Sequence, residues 1–243
     1  MNWELENSFL RENSENLENF DDSDDSADSD GNYEYNGLLA RTHITVRKNF
    51  ICGTDEAGRG PLAGDVYAAA VILPHGIEIE GLADSKSLTP KRREKLYGII
   101  TEKALDYAIA TANIDEIDNI NILNAALLAM RRAVDALSIK PDYVLIDGGI
   151  VRRFDDISCS GIVKGDAKSP NIAAASVLAK VARDRYMREL DEMYPLYHFR
   201  RNKGYPTKDH ILRLESFGEC PAHRKSFLKN IILGDGVRDV PQV

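Results

Sequence analysis

Two acidic residues stand side by side at Asp55 and Glu56, directly before the run Ala57-Gly58-Arg59-Gly60-Pro61-Leu62-Ala63-Gly64. Two more acids occupy comparable places. Asp147 ends the apolar run Tyr143-Val144-Leu145-Ile146, and Asp166 sits in Lys164-Gly165-Asp166-Ala167-Lys168, just ahead of the helix-start signal Ser169-Pro170. Side chains at strand ends can leave the sheet and converge on a crevice. Four carboxylates at close range would repel one another strongly. Hard divalent cations such as Mg²⁺ and Mn²⁺ remove that cost, because they prefer oxygen ligands. Two such ions about 4 Å apart activate a water and stabilise the leaving oxygen of a phosphodiester. Cations would also let acids and phosphate share a site, with Gly58-Arg59-Gly60 approaching a nucleic-acid backbone from beside the metals.

The same residues have plainer readings. Asp147-Gly148-Gly149 is also a turn signal, and Asp166 also suits an Asx-type turn before a helix. Adjacent residues on a regular strand point to opposite faces, so Asp55 and Glu56 can share a site only if the strand twists or breaks. Ala57-Gly58 makes that easy. The glycines are not a dinucleotide fingerprint: Gly64 comes one position late, and the segment after it reads as a strand rather than a helix.

The elements that must position these acids follow from periodicity and caps. Residues 50–54 and 66–73 are apolar runs of strand length. Thr89-Pro90 reads as an N-cap with proline at the first helical position, opening a helix to Lys103. Residues 105–112 alternate like a strand. Residues 122–139 are helical, with Leu123, Leu127, Met130 and Val134 on one face. Residues 143–146 form a buried strand, and Ser169-Pro170 opens a long helix to about Met193. Shorter helices follow Tyr194-Pro195, the clearest over 207–217. Strands with helices between them predict a mixed α/β sheet flanked by helices, with a helical C-terminal part.

Charge divides the chain of 243 residues unevenly. Residues 1–40 carry twelve Asp or Glu against one basic residue, Arg11, for a net −11; the whole chain is −8, which leaves +3 for residues 41–243. Residues 1–45 therefore read as a disordered, solubilising acidic extension, with too little apolar content to offset the entropy of ordering. The other reading is a docking segment built on Trp3, Leu5, Phe9 and Leu10. Residues 46–233 form the folded domain and 234–243 a flexible tail. Cys52, Cys159 and Cys220 are widely spaced and suit neither a zinc site nor a disulfide framework. With no membrane-length apolar run and no secretory start, the expectation is a soluble cytoplasmic protein.

These segments resemble the ribonuclease HII family of bacterial type-2 ribonucleases H. The resemblance spans roughly residues 49–227 and rests on Gly53-Thr54-Asp55-Glu56-Ala57-Gly58-Arg59-Gly60-Pro61-Leu62-Ala63-Gly64, Asp84-Ser85-Lys86-Ser87-Leu88 and Ile146-Asp147-Gly148. It continues through Val163-Lys164-Gly165-Asp166, Ala173-Ala174-Ala175-Ser176, Ala179-Lys180-Val181-Ala182-Arg183-Asp184, Asn202-Lys203-Gly204-Tyr205-Pro206-Thr207 and His223-Arg224-Lys225-Ser226-Phe227. It implies an RNase H-like fold and endonucleolytic cleavage of RNA paired with DNA, or at ribonucleotides embedded in DNA, leaving 5′-phosphate and 3′-hydroxyl ends. It also implies a part in ribonucleotide excision repair and a monomer. Asp55, Glu56, Asp147 and Asp166 take the places of the family's acidic quartet around Mn²⁺ or Mg²⁺. Gly58, Arg59 and Gly60 take the place of the turn that senses the ribose 2′-hydroxyl, and Tyr205 that of the tyrosine of the junction pocket. A relative of the ribonuclease HIII type, or a catalytically silent binding module, is the competing reading.

Only the 2′-hydroxyl separates RNA from DNA at a given site, and glycine lets backbone groups come close enough to bond it. Tyr205 can pack on a sugar or base, or be simply a partly exposed packing tyrosine. Lys86, Lys164, Lys168, Lys180, Arg183, Lys203, Arg224 and Lys225 are candidates for phosphate contacts, each of which could equally be a solvated surface charge. No histidine is assigned a catalytic role, and His223 is expected to pack in the C-terminal helical part.

Overall fold

The two apolar runs on either side of the glycine loop pair as antiparallel strands, β1 (Ile51–Ala57) and β2 (Val66–Ile72). The structure is a computed structural model that describes residues 3–18, 50–82, 88–151, 154 and 156–229. β3 (Asp106–Ala112) extends the sheet antiparallel beyond β2. β4 (Tyr143–Asp147) lies parallel to β1 on its other side, and β5 (Cys159–Ile162) lies parallel to β4. The order is β3-β2-β1-β4-β5, with β1 in the centre. The mixed sheet flanked by helices agrees with the expected fold class.

Strand alternation sends side chains to two helical layers. On one face Cys52, Val144 and Ile146 pack with Ala126, Met130 and Val134 of α4 (Ile122–Asp135). On the other, Ala69 and Val71 meet Ala173, Ala174, Val177 and Leu178 of α5 (Pro170–Met193), joined by Leu96 and Ile100 of α2 (Pro90–Lys103). The caps read from the sequence hold: Thr89 Oγ1 accepts from Arg92 N at 3.4 Å and Ser169 Oγ from Ile172 N at 3.2 Å. A Cβ on Gly53 would lie 2.3 Å from the Asn171 backbone, so α5 reaches β1 this closely only because residue 53 is glycine. Beyond α5, α6 (Phe199–Asn202), α7 (Lys208–Phe217) and α8 (Lys225–Leu228) gather around Met187, Leu190, Tyr197, Phe199 and Leu214.

For the first part of residues 1–45 the structure agrees with the reading of a docking segment built on Trp3, Leu5, Phe9 and Leu10. Glu4–Glu18 is a helix, α1, and it docks on the domain. Leu5, Phe9 and Leu10 pack against Ile51, Leu145 and Ile172, and the Phe9 ring stacks on Tyr143 at 4.5 Å. Trp3 Nε1 donates to Ile77 O at 3.3 Å. Glu6 is fully buried, where its Oε1 accepts from Ser169 Oγ at 2.5 Å. The average over an acidic stretch conceals an apolar stripe at helical spacing, and that stripe is what docks. Residues 19–45 of the expected tail, and 234–243, lie outside the described residues. Two elements also went unanticipated: β5, and α3 (Ile114–Ile120), which opens on a capping box in which Glu116 N donates to Asn113 Oδ1 and Asn113 N to Glu116 Oε2, each at 2.9 Å.

Candidate active site

Asp55 and Asp147 are placed by strand register. Thr54 of β1 pairs with Ile146 of β4 in parallel, so the next residue on each strand is an aspartate, and the two project from the same face. That face looks onto α5. Asp55 is buried, accepts from the Glu56 amide at 2.7 Å through Oδ1, and takes a further hydrogen bond from Ser176 of α5. Burial pushes its carboxyl well above the usual carboxylate range, and repulsion from Glu56 and Asp147 adds to the rise. Glu56 is raised too, by burial first, while its 3.2 Å ion pair with Arg59 works the other way. β1 runs unbroken and in register with β2 through Ala57, so the strand does not break between Asp55 and Glu56; Gly58 then turns the chain at φ 104°.

Asp166 is buried in the short 3₁₀ turn Gly165–Ala167, entered through Lys164 in the left-handed conformation at φ 57°. Gly165 N donates to Asp147 Oδ1 at 2.7 Å, which ties this turn to the end of β4. Among the described residues no three His, Cys, Asp or Glu side chains meet as ligands of one ion. The acids are instead held on protein donors: Asp55 on Ser176, Glu56 on Arg59, Asp147 on Gly165. The donor set still suits a hard divalent ion, since it offers only carboxylate oxygens, and burial raises the carboxyls of Asp55 and Glu56.

Beside the acids lies a groove of about 360 Å³ bounded by Glu56, Gly58, Arg59, Gly60, Lys180 and Tyr205. Tyr205 is 43 % exposed, and its Cε1 would lie 3.4 Å from a Cβ at Gly60, so its ring faces the glycine turn across the groove. Lys180 lines the groove and pairs with Asp184 at 2.6 Å. Lys164, Lys168 and Lys225 are exposed, and Lys203 is half-buried. Lys86 lies outside the described residues.

Arg183 and Arg224, candidates for phosphate contacts, have other partners in the structure, although Arg183 also lines the groove. Both are buried, and both direct their guanidinium groups at backbone carbonyls. Arg183 donates to Ala63, Asp65 and Lys203 at 3.1 Å each. Arg224 donates to Gly58 at 2.7 Å, to Pro61 and Gly64 at 2.8 Å, and to Arg59 at 3.2 Å. Burial lowers both, Arg224 to about 9 with the charge of Arg183 contributing. A basic side chain in sequence does not announce which carbonyls await it. Ser176 was missed as a partner of Asp55; with Lys180 and Arg183 it follows an i, i+4, i+7 spacing, which puts all three on one helix face. His223 packs in the C-terminal part as expected.

A mixed sheet carrying acids on two adjacent parallel strands, beside a helix that supports them, defines an RNase H-like fold. Residues 52–230 match the family model described as Ribonuclease HII. A Ribonuclease HII of Caldicellulosiruptor saccharolyticus is 52 % identical over 183 residues, covering 75 % of this chain and 89 % of that protein. Another, of Acinetobacter baylyi, is 56 % identical over 177 residues, covering 73 % and 94 %. Among solved structures, the ribonuclease H2 of Pyrococcus horikoshii OT3 superposes with a TM-score of 0.61 at 29 % identity, over 73 % of this chain and 93 % of that one. The chain belongs to the ribonuclease HII family. It is an endoribonuclease of the ribonuclease H type, cutting the RNA of RNA–DNA hybrids.

Proposed function

We propose that this enzyme also incises duplex DNA at a single embedded ribonucleotide, and that in both reactions it leaves 5′-phosphate and 3′-hydroxyl ends with the help of divalent metal, Mg²⁺ or Mn²⁺. The observation that carries the reading is the placement of Asp55 and Asp147 on one face, next to a groove walled by Gly58-Arg59-Gly60 and Tyr205. Asp55, Glu56, Asp147 and Asp166 would hold the metal. When bound, such ions supply water activation and neutralise charge at the leaving oxygen. The water oxygen joins phosphorus while the bond to the 3′-oxygen breaks, so phosphate stays on the 5′ end and the 3′-oxygen takes a proton.

The chain's own residues do the rest. Ser176 and the Gly165 amide orient the carboxylates of Asp55 and Asp147. The Gly58–Gly60 turn brings backbone close to a ribose and offers polar groups to its 2′-hydroxyl. Tyr205 packs on the neighbouring sugar, and Lys168 and Lys180 draw in phosphates without reading bases. Among the described residues no helix is long and apolar enough to cross a membrane. The enzyme works as a monomer in the cytoplasm on this reading.

The test is a DNA duplex holding one ribonucleotide, incubated with and without Mg²⁺ or Mn²⁺, with the cut position and end groups mapped. Metal-dependent incision beside the ribonucleotide supports the proposal. A protein that cuts only long hybrids refutes it and favours a ribonuclease HIII-like specificity.

A further inference from the structure

Two buried imidazoles outside the acidic centre form a directed hydrogen-bond chain. His210 and His223 meet Nε2 to Nε2 at 3.0 Å. At one end, the Cys220 amide donates to His223 Nδ1 at 2.9 Å; the Cys220 carbonyl, 3.3 Å from the same nitrogen, is already taken by His223 N at 2.9 Å. At the other end His210 Nδ1 lies 2.9 Å from the Tyr205 carbonyl. An amide can only donate and a carbonyl can only accept, so the protons are fixed. His223 is protonated on Nε2 and donates to His210 Nε2; His210 is protonated on Nδ1 and donates to Tyr205 O. Burial lowers both groups, His223 to about 3, and so favours the neutral rings. Tyr197 and Phe199 pack edge-on against the rings of His223 and His210 respectively and confine them.

The next residue along, Arg224, grips the opposite wall of the groove. Its guanidinium holds the carbonyls of Gly58 and Arg59, and its amide donates to Leu62 O at 2.8 Å. One dipeptide therefore reaches both sides of the slot, Tyr205 through His210 and the glycine turn directly. We propose that His223-Arg224, acting with His210, sets the gap between Tyr205 and Gly58-Arg59-Gly60 and so tunes selectivity for a lone ribose. These are positioning residues, and the inference rests on the reading of Tyr205 and the glycine turn given above.

The test uses the full chain with a divalent metal and two substrates, a duplex with one ribonucleotide and a long RNA–DNA hybrid. Asparagine places an amide nitrogen where histidine has Nδ1, and glutamine places one where it has Nε2. His210→Asn keeps the bond to Tyr205 but loses the link to His223; His210→Gln keeps a group that can accept from His223 but loses the bond to Tyr205. Each cuts the chain at one link, so the ratio of kcat/KM for the single ribonucleotide to that for the hybrid is expected to fall about tenfold in both. His223→Gln, which retains a donor at Nε2, is expected to stay within about twofold of wild type, and His223→Asn, which lacks it, to fall like the His210 variants. An unchanged ratio in His210→Gln, or equal ratios in His223→Gln and His223→Asn, overturns the proposal. Tyr205→Ala separates the two levels. An unchanged ratio there removes Tyr205 from discrimination and the proposal with it, whereas a lowered ratio there beside an unchanged one in His210→Gln sinks the positioning role alone.

Discussion

Asp55 and Asp147 follow a paired Thr54 and Ile146 on parallel strands, so the two carboxylates share one face of the sheet although 92 positions apart in the chain. If they act together on metal, Asp55→Asn or Asp147→Asn lowers the cleavage rate by more than about a hundredfold. Binding of the hybrid, measured in Ca²⁺ to suppress turnover, stays within about threefold, because the groove and its cations remain. Near-wild-type cleavage by either variant would remove these residues from the chemistry.

Asp55 also sets a pH dependence in metal-free protein. Burial and its acidic neighbours raise its folded pKa above the ordinary value. A raised carboxyl means the folded state holds the proton more tightly than the unfolded state. Stability from this group is fully present below the unfolded pKa and falls as pH rises through the folded one. Asp55→Asn removes the penalty, so its Tm at pH 8 without metal exceeds that of wild type, with the difference shrinking toward pH 4. A difference that grows on acidification contradicts this account.

His223 produces the opposite trend. Its folded pKa is about 3 against an ordinary 6.5. Below pH 6.5 the unfolded chain takes a proton that the folded chain refuses, so stability is full above that value and lost as pH falls toward 3. The slope reaches about 1.4 kcal/mol per pH unit for one such group. Urea unfolding from pH 7 to pH 4 should show a steeper loss in wild type than in His223→Gln, and parallel curves would count against a neutral buried His223.

Arg224 is a structural cation, which separates it from a phosphate contact by experiment. Arg224→Lys retains the charge but loses the planar fork that holds four carbonyls. The expected cost is about 3 kcal/mol in chemical unfolding, with the salt dependence of hybrid binding unchanged. A stable variant with a shallower salt slope would mean the guanidinium reaches phosphate after all.

The N-terminal helix belongs to the fold. Deleting residues 1–18 uncovers Ile51, Leu145 and Ile172 and lowers Tm by about 5 °C or more. Specific activity of the folded remainder stays within about tenfold, because the donors on Asp55, Glu56 and Asp147 come from Ser176, Arg59 and Gly165. An unchanged Tm would show that the helix does not dock.

The helix starts at Thr89, Ser169 and Thr207 and the strands on either side of the glycine loop could be read from the chain alone, because caps, prolines and apolar runs act between near neighbours. So could the capping box of α3, an Asn followed three residues later by Glu, although it was passed over. β5 was hidden because it is a four-residue strand at the sheet edge with no buried side chain to impose alternation. Other facts needed the tertiary structure. Which face Asp147 shares with Asp55 depends on strand register; whether Arg183 and Arg224 meet phosphate or carbonyl depends on loops more than a hundred residues away. Whether an acidic segment docks depends on the apolar surface it finds. Local sequence fixes what a residue can donate, accept or bury, but only the folded chain brings its partner, because hydrogen bonding and desolvation act over a few ångströms of space whatever the separation in sequence.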